Sequence, residues 1–407
     1  MSLKRPRCDN DEDIIPNAKR GNTTNDAVHR LARLVDCTVL TTHADLLVRF
    51  TTIANLLLHE VYLQITPSSD GTPRTELYEL LEIEFYLWKE TCHEDPFTHG
   101  SEQQRRSGQW YFHRAPTRAG TVSSSAKVST STTPAGGFRG GTRKGLDLTF
   151  GGPLLSPSMS GNTVASQLDS RGGILFRTLR RKSDGKVISG PSLLVDEVLR
   201  ASGAATIAAL VNDIWGGDTY AWPFHSPSSK SATSSSNASL HLVPIPIESG
   251  RPSAPNQVPT VYRSPRIGLD LSHSSIPADS QAALEHPRAQ YLARPYRFFM
   301  NPELLTANGR GHTFLGVFLA LTVSSDGRVL SDSELKGLLV KRTGLKLSTV
   351  ENYMDQYRKG LQDGKTRGGS AVGSFLGAKG KGAGSGPVTA LKLFGALNGI
   401  ASTSEDP

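Results

Sequence analysis

The pattern of apolar and polar positions predicts a strand over residues 76–88. In its second half the two kinds of side chain alternate, as they do in a strand with one buried face. The apolar positions are Leu81, Ile83, Phe85 and Leu87. The other face carries Glu82, Glu84, Tyr86 and Trp88. A half-buried strand ordinarily turns such a polar face to water, so a merely solvated row of glutamates is the simplest interpretation of this segment.

Helical spacing of apolar residues predicts helices over 26–36 and 45–64. A third helix is expected over 192–202, because Gly190-Pro191 forms a favourable helix entry. Two more are expected over 334–343 and 348–361, joined through Gly344. For the second of this pair, Ser348 and Glu351 have the spacing of a capping box.

Shorter strands are predicted over 109–114, 145–151, 172–179, 263–271 and 295–299. Segments rich in Ser, Thr, Gly or Pro interrupt them near 115–141, 152–171 and 226–260, and we interpret these as loop insertions. The polar segment 1–25 and the Gly/Lys-rich segment 364–407 are expected to be disordered tails. Only 37% of the residues are hydrophobic, which favours one ordered core over several domains.

The net charge of +8 favours a polyanionic partner. The three cysteines, Cys8, Cys37 and Cys92, show no paired spacing, so a reducing compartment is expected. The longest apolar run, 313–323, is shorter than the about 20 residues that a membrane span needs, and no membrane partner is expected. Basic clusters at residues 4–7 and 19–20 resemble a bipartite nuclear import signal, which predicts a nuclear protein.

The strand over 76–88 also suggests chemistry, because Glu84 and Tyr86 lie side by side on one face. An enzyme that excises a base needs an aromatic ring to stack on the extruded base and a carboxylate to activate water. His99, the aromatic segment 110–113 and the apolar segment 172–177 follow in order.

This order resembles the methylpurine (alkyladenine) DNA glycosylase family. Segments 264–268 and 295–298 are similar to the closing part of that family, and Gly190-Pro191 to its Gly-Pro helix entry. The similarity spans roughly residues 45–300 and is interrupted by insertions. It implies an α+β fold: a single curved, mostly antiparallel sheet with packed helices in one domain over 26–305, followed by a helical extension over 306–363.

The resemblance also implies roles for individual residues. Glu84 would be the general base, and Arg177 would help to hold the nucleophilic water and a nearby phosphate. Tyr86 and His99 would sandwich the flipped base, with Tyr111 and His113 in the region that supplies further rings. Asp147 lies nearest to the asparagine that discriminates between bases, and it would accept rather than donate a hydrogen bond. The implied enzyme is a monomer that excises a modified purine from damaged double-stranded DNA without metal or cofactor.

Basic residues beside Gly-rich turns are candidates for binding DNA phosphates, although scattered surface charge is the alternative. They are Arg114, Arg143, Lys144 and Arg266. The helices over 334–361 resemble a helix-turn-helix, with Thr349, Asn352, Tyr353 and Arg358 on the second helix, or they form an ordinary packing unit.

Two other functions remain open from the sequence. One is a metal-dependent hydrolase that uses Cys92, His93, Asp95 and His99, with His113 as a further possible ligand, although their spacing matches no standard zinc pattern. The other is a nucleic-acid-binding protein that keeps the scaffold without turnover. Histidines in such a loop also serve simply to satisfy backbone groups.

Overall fold

The computed structural model describes residues 26–67, 75–115, 137–154, 169–223, 238–246, 258–305, 308–322, 330–382 and 386–404. The predicted nuclear signal and tail at 1–25 lie outside these residues, as do most of the predicted insertions near 115–141 and 152–171. Within the described residues, no helix is long and apolar enough to cross a membrane.

The described strands form one sheet. They are β1 (Val61–Thr66), β2 (Glu76–Lys89), β3 (His93–Glu94), β4 (Trp110–Phe112), β5 (Leu146–Thr149), β6 (Ser170–Arg181), β7 (Val187–Ser189), β8 (Ser239–Pro244), β9 (Tyr262–Ser264) and β10 (Arg297–Phe299). The helices are α1 (Asp26–Leu34), α2 (His43–His59), α3 (Pro191–Ser202), α4 (Ser280–Glu285), α5 (Pro287–Leu292), α6 (Arg310–Thr322), α7 (Asp332–Thr343), α8 (Leu347–Arg367) and α9 (Pro387–Ser404).

The sheet is antiparallel, in the order β4-β5-β6-β2-β1-β8, and it curls into a half-barrel. Strands β2 and β6 pair along most of their length, with an irregularity between Leu80 and Ile83. The other edge of β2 is shared: β1 pairs with its first part, β10 with its middle and β3 with its end. The predicted α+β class, with one curved and mostly antiparallel sheet, is confirmed.

One face of the sheet is apolar and packs against helix α2. Phe85 of β2 stacks on Phe50 of α2 with ring centroids 4.7 Å apart, and Phe150 meets both rings edge-on. This packing explains the apolar half of the alternation in β2, since burial of one aromatic side chain contributes roughly 1.5–3 kcal/mol. A single cluster of buried residues runs from Val28 to Ala396.

Some predicted boundaries were wrong. The helix predicted over 45–64 ends at His59, because Val61, Leu63 and Ile65 then bury alternate positions in β1. The insertion predicted near 226–260 contains strand β8, which pairs with β1. The strand predicted over 263–271 is reduced to β9.

The capping box in this region belongs to α7, where Ser331 and Glu334 bond each other's backbone N–H groups. The one predicted at Ser348 was wrong: α8 begins after Lys346 without a side-chain cap.

The tail predicted to be disordered over 364–407 is helical in its described part, where α9 packs along α8. Glycines allow the two backbones to touch: a Cβ on Gly364 would lie 2.2 Å from the carbonyl oxygen of Ala396, and one on Gly399 would lie 2.3 Å from that of Leu361. High glycine content, taken as a sign of disorder, here permits close helix packing.

The helical extension predicted over 306–363 does not form a separate core. Helix α6 lies directly on the sheet, where a Cβ on Gly316 would meet the Arg263 carbonyl oxygen at 2.6 Å and the Phe299 ring at 2.9 Å. The C-terminal helices therefore extend the core that begins at the N-terminus.

Candidate functional site

Strand register places the candidate residues in one row across the sheet. Glu84 of β2 is paired with Leu175 of β6 on one side and with Arg297 of β10 on the other. Leu175 is paired with Asp147 of β5, which is paired with Tyr111 of β4. Directly paired residues project from the same face of a sheet, so these side chains share the face opposite the Phe85 core.

Three hydrogen-bond donors hold the Glu84 carboxylate. Its Oε1 accepts from the Ile267 backbone N–H at 2.8 Å, and its Oε2 accepts from the Tyr86 hydroxyl at 2.8 Å and from Arg177 Nη1 at 3.3 Å. The sequence predicted this meeting of Glu84, Tyr86 and Arg177. The expectation of a solvated face was wrong, because Glu84 has no exposed surface. A carboxylate offers about four acceptor positions, so one remains on Oε1.

Glu82 completes a buried ionic cluster that the sequence analysis missed. Its Oε1 accepts from Arg177 Nε at 3.0 Å and from Arg297 Nε at 2.6 Å, and its Oε2 accepts from Thr178 Oγ1 at 2.5 Å. Burial alone would raise the pKa of Glu82, but the Arg297 and Arg177 guanidiniums lower it to about 2. The signal available in the sequence was its position, two residues before Glu84 on the same strand face.

The same two carboxylates act on Arg177. Burial would lower the pKa of this guanidinium, but the Glu84 and Glu82 carboxylates raise it above its ordinary value. Arg177 is therefore a fixed cation between two carboxylates.

Arg266 is placed differently from the prediction. It is fully buried and forms a two-pronged pair with Asp95, and its Nη1 also donates to the Phe85 carbonyl at 3.0 Å. Its guanidinium carbon lies 4.5 Å from the centroid of the Tyr86 ring. Arg266 consequently supports the back of the site, and the prediction that it grips DNA phosphate was wrong.

Tyr86 keeps part of its surface exposed beside the fully buried Glu84. Burial and then the neighbouring Glu84 carboxylate raise the pKa of its hydroxyl well above the ordinary value. The hydroxyl therefore stays protonated and donates to Glu84. Tyr86 is therefore more accessible from solvent than the carboxylate to which it is bonded.

His99, His113 and Asp147 form a second cluster on this face. His113 Nε2 lies 2.8 Å from Asp147 Oδ1, and the rings of His99 and His113 meet edge-on with centroids 4.4 Å apart. Burial and then the proximity of His113 lower the pKa of His99 to about 4, against the opposing effect of Asp147. Tyr111 stands 6.2 Å from His99, centroid to centroid. The structure thus brings together four of the residues predicted to bind the base.

Two glycines make room for this cluster. A Cβ on Gly173 would lie 2.3 Å from Asp147 Oδ2, and one on Gly145 would lie 2.5 Å from Cε1 of His113. Gln104 is fully buried against the same carboxylate and donates from Nε2 to Asp147 Oδ2 at 3.1 Å. No sequence signal pointed to Gln104, which lies in a 3-10 helix (Glu102–Arg105) far from Asp147 along the chain.

The metal set predicted from Cys92, His93, Asp95 and His99 is not formed. The Leu87 carbonyl occupies His93 Nδ1 at 2.8 Å, and the Tyr296 hydroxyl lies 2.9 Å from Nε2. Asp95 already forms an ion pair with Arg266. Among the described residues, the histidines and carboxylates close enough to share an ion are instead His99, His113 and Asp147.

A basic groove lies at the end of the sheet that carries β4. It is lined by Ala115, Phe138, Arg139, Gly140 and Arg143. Arg114 stacks over Phe138 with its guanidinium carbon 4.2 Å from the ring centroid. Lys144 forms an ion pair with Asp196 of α3. Arg143 and Arg139 therefore line the groove, and Arg114 borders it through Phe138; Arg139 was not predicted.

The predicted helix-turn-helix corresponds to α7 and α8. Tyr353 is buried against Phe314, with ring centroids 5.3 Å apart, and Arg358 pairs with Asp332 of α7 at 2.7 Å. Asn352 remains exposed. These contacts agree with an ordinary helix-packing unit.

Comparison with known proteins finds a distant viral relative. No protein-family model matches the chain. An uncharacterized protein of Acanthamoeba polyphaga mimivirus is 29% identical over 150 residues, which cover 37% of this chain and 56% of the viral protein. The match spans only about half the length of that relative, whose activity is uncharacterized.

Proposed function

We propose that this chain is a monofunctional DNA glycosylase that hydrolyses the N-glycosyl bond of a modified purine in double-stranded DNA. The observation that carries the proposal is the Glu84 carboxylate, held by Arg177 and Tyr86 on the sheet face that also bears Asp147 and Tyr111. Partly exposed rings beside buried carboxylates suit a flipped base, which needs a stacking partner and a water-activating group.

In the proposed reaction, the bond between the sugar's anomeric carbon and the base nitrogen breaks, and its electron pair leaves with the base. Positive charge develops on the sugar, as in glycoside hydrolysis, and the buried carboxylate stabilises it. Water adds to the anomeric carbon and gives up a proton. The free acceptor position on Glu84 Oε1 is suited to receive this proton, since Arg177 and Tyr86 already hold Oε2. The departed base, which holds the electron pair of the broken bond, takes up a proton, so that the net reaction is hydrolysis.

Access to Glu84 requires movement of a covering side chain. Glu84 has no exposed surface, whereas Tyr86, whose hydroxyl is bonded to it, keeps some exposure. In the proposed complex, the Tyr86 ring turns to stack on the base, which gives water a path to the carboxylate. Asp147 would accept a hydrogen bond, so the pocket favours a base that presents a donor on that edge.

The rest of the molecule is compatible with a DNA substrate. The net charge is +8, and the groove bordered by Arg114, Arg139 and Arg143 could hold phosphates beside the pocket. We propose that the protein acts as a monomer in the nucleus, consistent with the basic clusters at residues 4–7 and 19–20.

The test is a panel of duplexes that carry alkylated, deaminated or oxidised bases, scored for strand breaks after alkali. Wild-type protein is expected to leave alkali-labile abasic sites in at least one duplex. Glu84→Gln should lower base release by about 100-fold or more, the range associated with loss of a general base. The matched control is Glu90→Gln, an exposed glutamate just after β2, which should retain activity.

Two results would contradict the proposal. Undiminished base release by folded Glu84→Gln protein would remove Glu84 from the reaction. Intact strands throughout the panel, together with shifted mobility of the duplexes, would identify a DNA-binding protein without turnover, an alternative favoured by the complete burial of Glu84.

A further inference from the structure

We propose that His99, His113 and Asp147 form a binding site for a divalent transition-metal ion of the zinc type. Each residue offers one ligand atom, and these atoms all lie within 4.8 Å of one another. Two imidazole nitrogens and one carboxylate oxygen form a ligand set that suits Zn²⁺, with a fourth position left for water or a substrate atom. This site goes beyond the proposed function, because the Glu84 reaction needs no ion.

The geometry requires only small movements to accept an ion. Ligand atoms bonded to Zn²⁺ at about 2.0–2.1 Å in a tetrahedron lie roughly 3.3 Å apart. The 2.8 Å contact between His113 Nε2 and Asp147 Oδ1 must open by about 0.5 Å as the ion replaces the shared proton. His99 lies in a loop rather than in a strand, so it is the ligand free to close the remaining distance.

The surroundings hold two of the three ligands in place. Asp147 and His113 lie on or beside paired strands, β5 and β4, and Gly173 and Gly145 supply the space that the carboxylate and the ring occupy. Gln104 donates to the second carboxylate oxygen, as outer partners of metal ligands commonly do. The oxygen of that buried amide, Gln104 Oε1, has no hydrogen-bond partner among the described residues. A water bound to the ion could supply that missing donor.

The set also differs from a chance group of surface side chains. Asp147 is 3% exposed, and the side chain of His113 is 14% exposed. A hydrogen-bonded Asp–His pair in so little solvent is already desolvated, so an ion that binds there does not have to remove water from either ligand. The described cysteines, Cys37 and Cys92, take no part in the site.

The experiment is titration of full-length, metal-free protein with Co²⁺ and Zn²⁺. We expect one equivalent of Co²⁺ to give the visible bands of a tetrahedral nitrogen–oxygen site, without a thiolate charge-transfer band, and Zn²⁺ to displace it. Asp147→Asn keeps the shape of the side chain while removing a good ligand, and we expect it to weaken binding at least tenfold, as loss even of an outer partner weakens metal binding by about 10–100-fold. His113→Asn should do the same.

His273→Gln is the matched control, since it removes an exposed histidine that is bonded to Ser275 and should leave the affinity unchanged. Glu84→Gln should also bind the ion normally, so that failure of the proposed hydrolysis and failure of the metal site can be distinguished. Circular dichroism confirms folding of each variant. Three results would overturn the site: no binding by wild-type protein, wild-type affinity in Asp147→Asn and His113→Asn, or a thiolate band.

Discussion

Replacing Arg177 with methionine tests whether the buried ionic cluster is electrically balanced. Glu82 and Glu84 are neutralised by Arg177 and Arg297, and all four side chains have little or no contact with solvent. Arg177→Met leaves one negative charge buried without compensation. Loss of one member of a buried ion pair costs about 3–5 kcal/mol of unfolding free energy, which corresponds to a melting temperature lower by roughly 6–20 °C.

The double variant Arg177→Met/Glu84→Gln restores the charge balance, so part of the loss should be recovered. We expect it to be more stable than the sum of the single variants predicts, by about 1–3 kcal/mol. Urea unfolding followed by circular dichroism measures all three proteins. Arg180→Met is the control on the same strand, because Arg180 is partly exposed and pairs with Glu79, and it should lose less than about 1 kcal/mol.

Two results would refute this account of the cluster. One is a loss of less than about 1 kcal/mol of unfolding free energy in Arg177→Met, since the removal of an exposed ion pair already has an effect of that size. The other is strict additivity in the double variant, which would mean that Arg177 and Glu84 are not coupled.

Two further predictions concern stability. Burial lowers the pKa of His93 to about 4 and that of His312 to about 3, so both histidines protonate more readily in the unfolded chain. Their contribution to the free energy of unfolding is complete above about pH 6.5 and is lost as the pH falls toward 4. The loss is up to about 1.4 kcal/mol per pH unit for each group. Urea unfolding between pH 8 and 4 should show this slope and a smaller one in His312→Phe, and equal slopes would contradict it. Gly364→Ala should lower the free energy of unfolding by about 1–3 kcal/mol, because the added Cβ forces α8 and α9 apart. In the control Gly337→Ala the Cβ meets nothing within 4 Å, so that variant should be neutral or more stable. Equal melting temperatures of the two variants would show that the helices do not need close contact.

The spacing of apolar residues was sufficient to predict secondary structure where a single periodicity, helical or strand-like, extended over the whole segment. The alternation from Leu81 to Trp88 predicted strand β2 almost to its ends, and Gly190-Pro191 marked the start of α3. Where the period changed within a short span, the prediction failed. Residues 45–64 contain helical spacing followed by strand spacing, and only the pairing of β1 with β2 and β8 reveals the change at Glu60.

The candidate site was predictable in part. Glu84 and Tyr86 could be predicted because they lie on one face of a single strand. Arg177 could be predicted because it ends one of the segments whose order resembles the glycosylase family. Gln104 and the burial of Arg266 depend on contacts between segments distant in the chain, which no local pattern encodes. The glycine-rich C-terminal segment was misjudged for the same reason, because its order comes from the helix that it contacts.

The row that runs from Arg297 to Tyr111 has a consequence for how this protein can change. Its members come from five different strands and meet because backbone ladders fix their relative positions. A slip of a single residue in β5 would turn Asp147 toward the aromatic core and bring an apolar neighbour, Leu146 or Leu148, into its place. Lengthening the connection between β4 and β5 leaves that alignment intact, so loop length can drift over evolutionary time while the pocket keeps its shape.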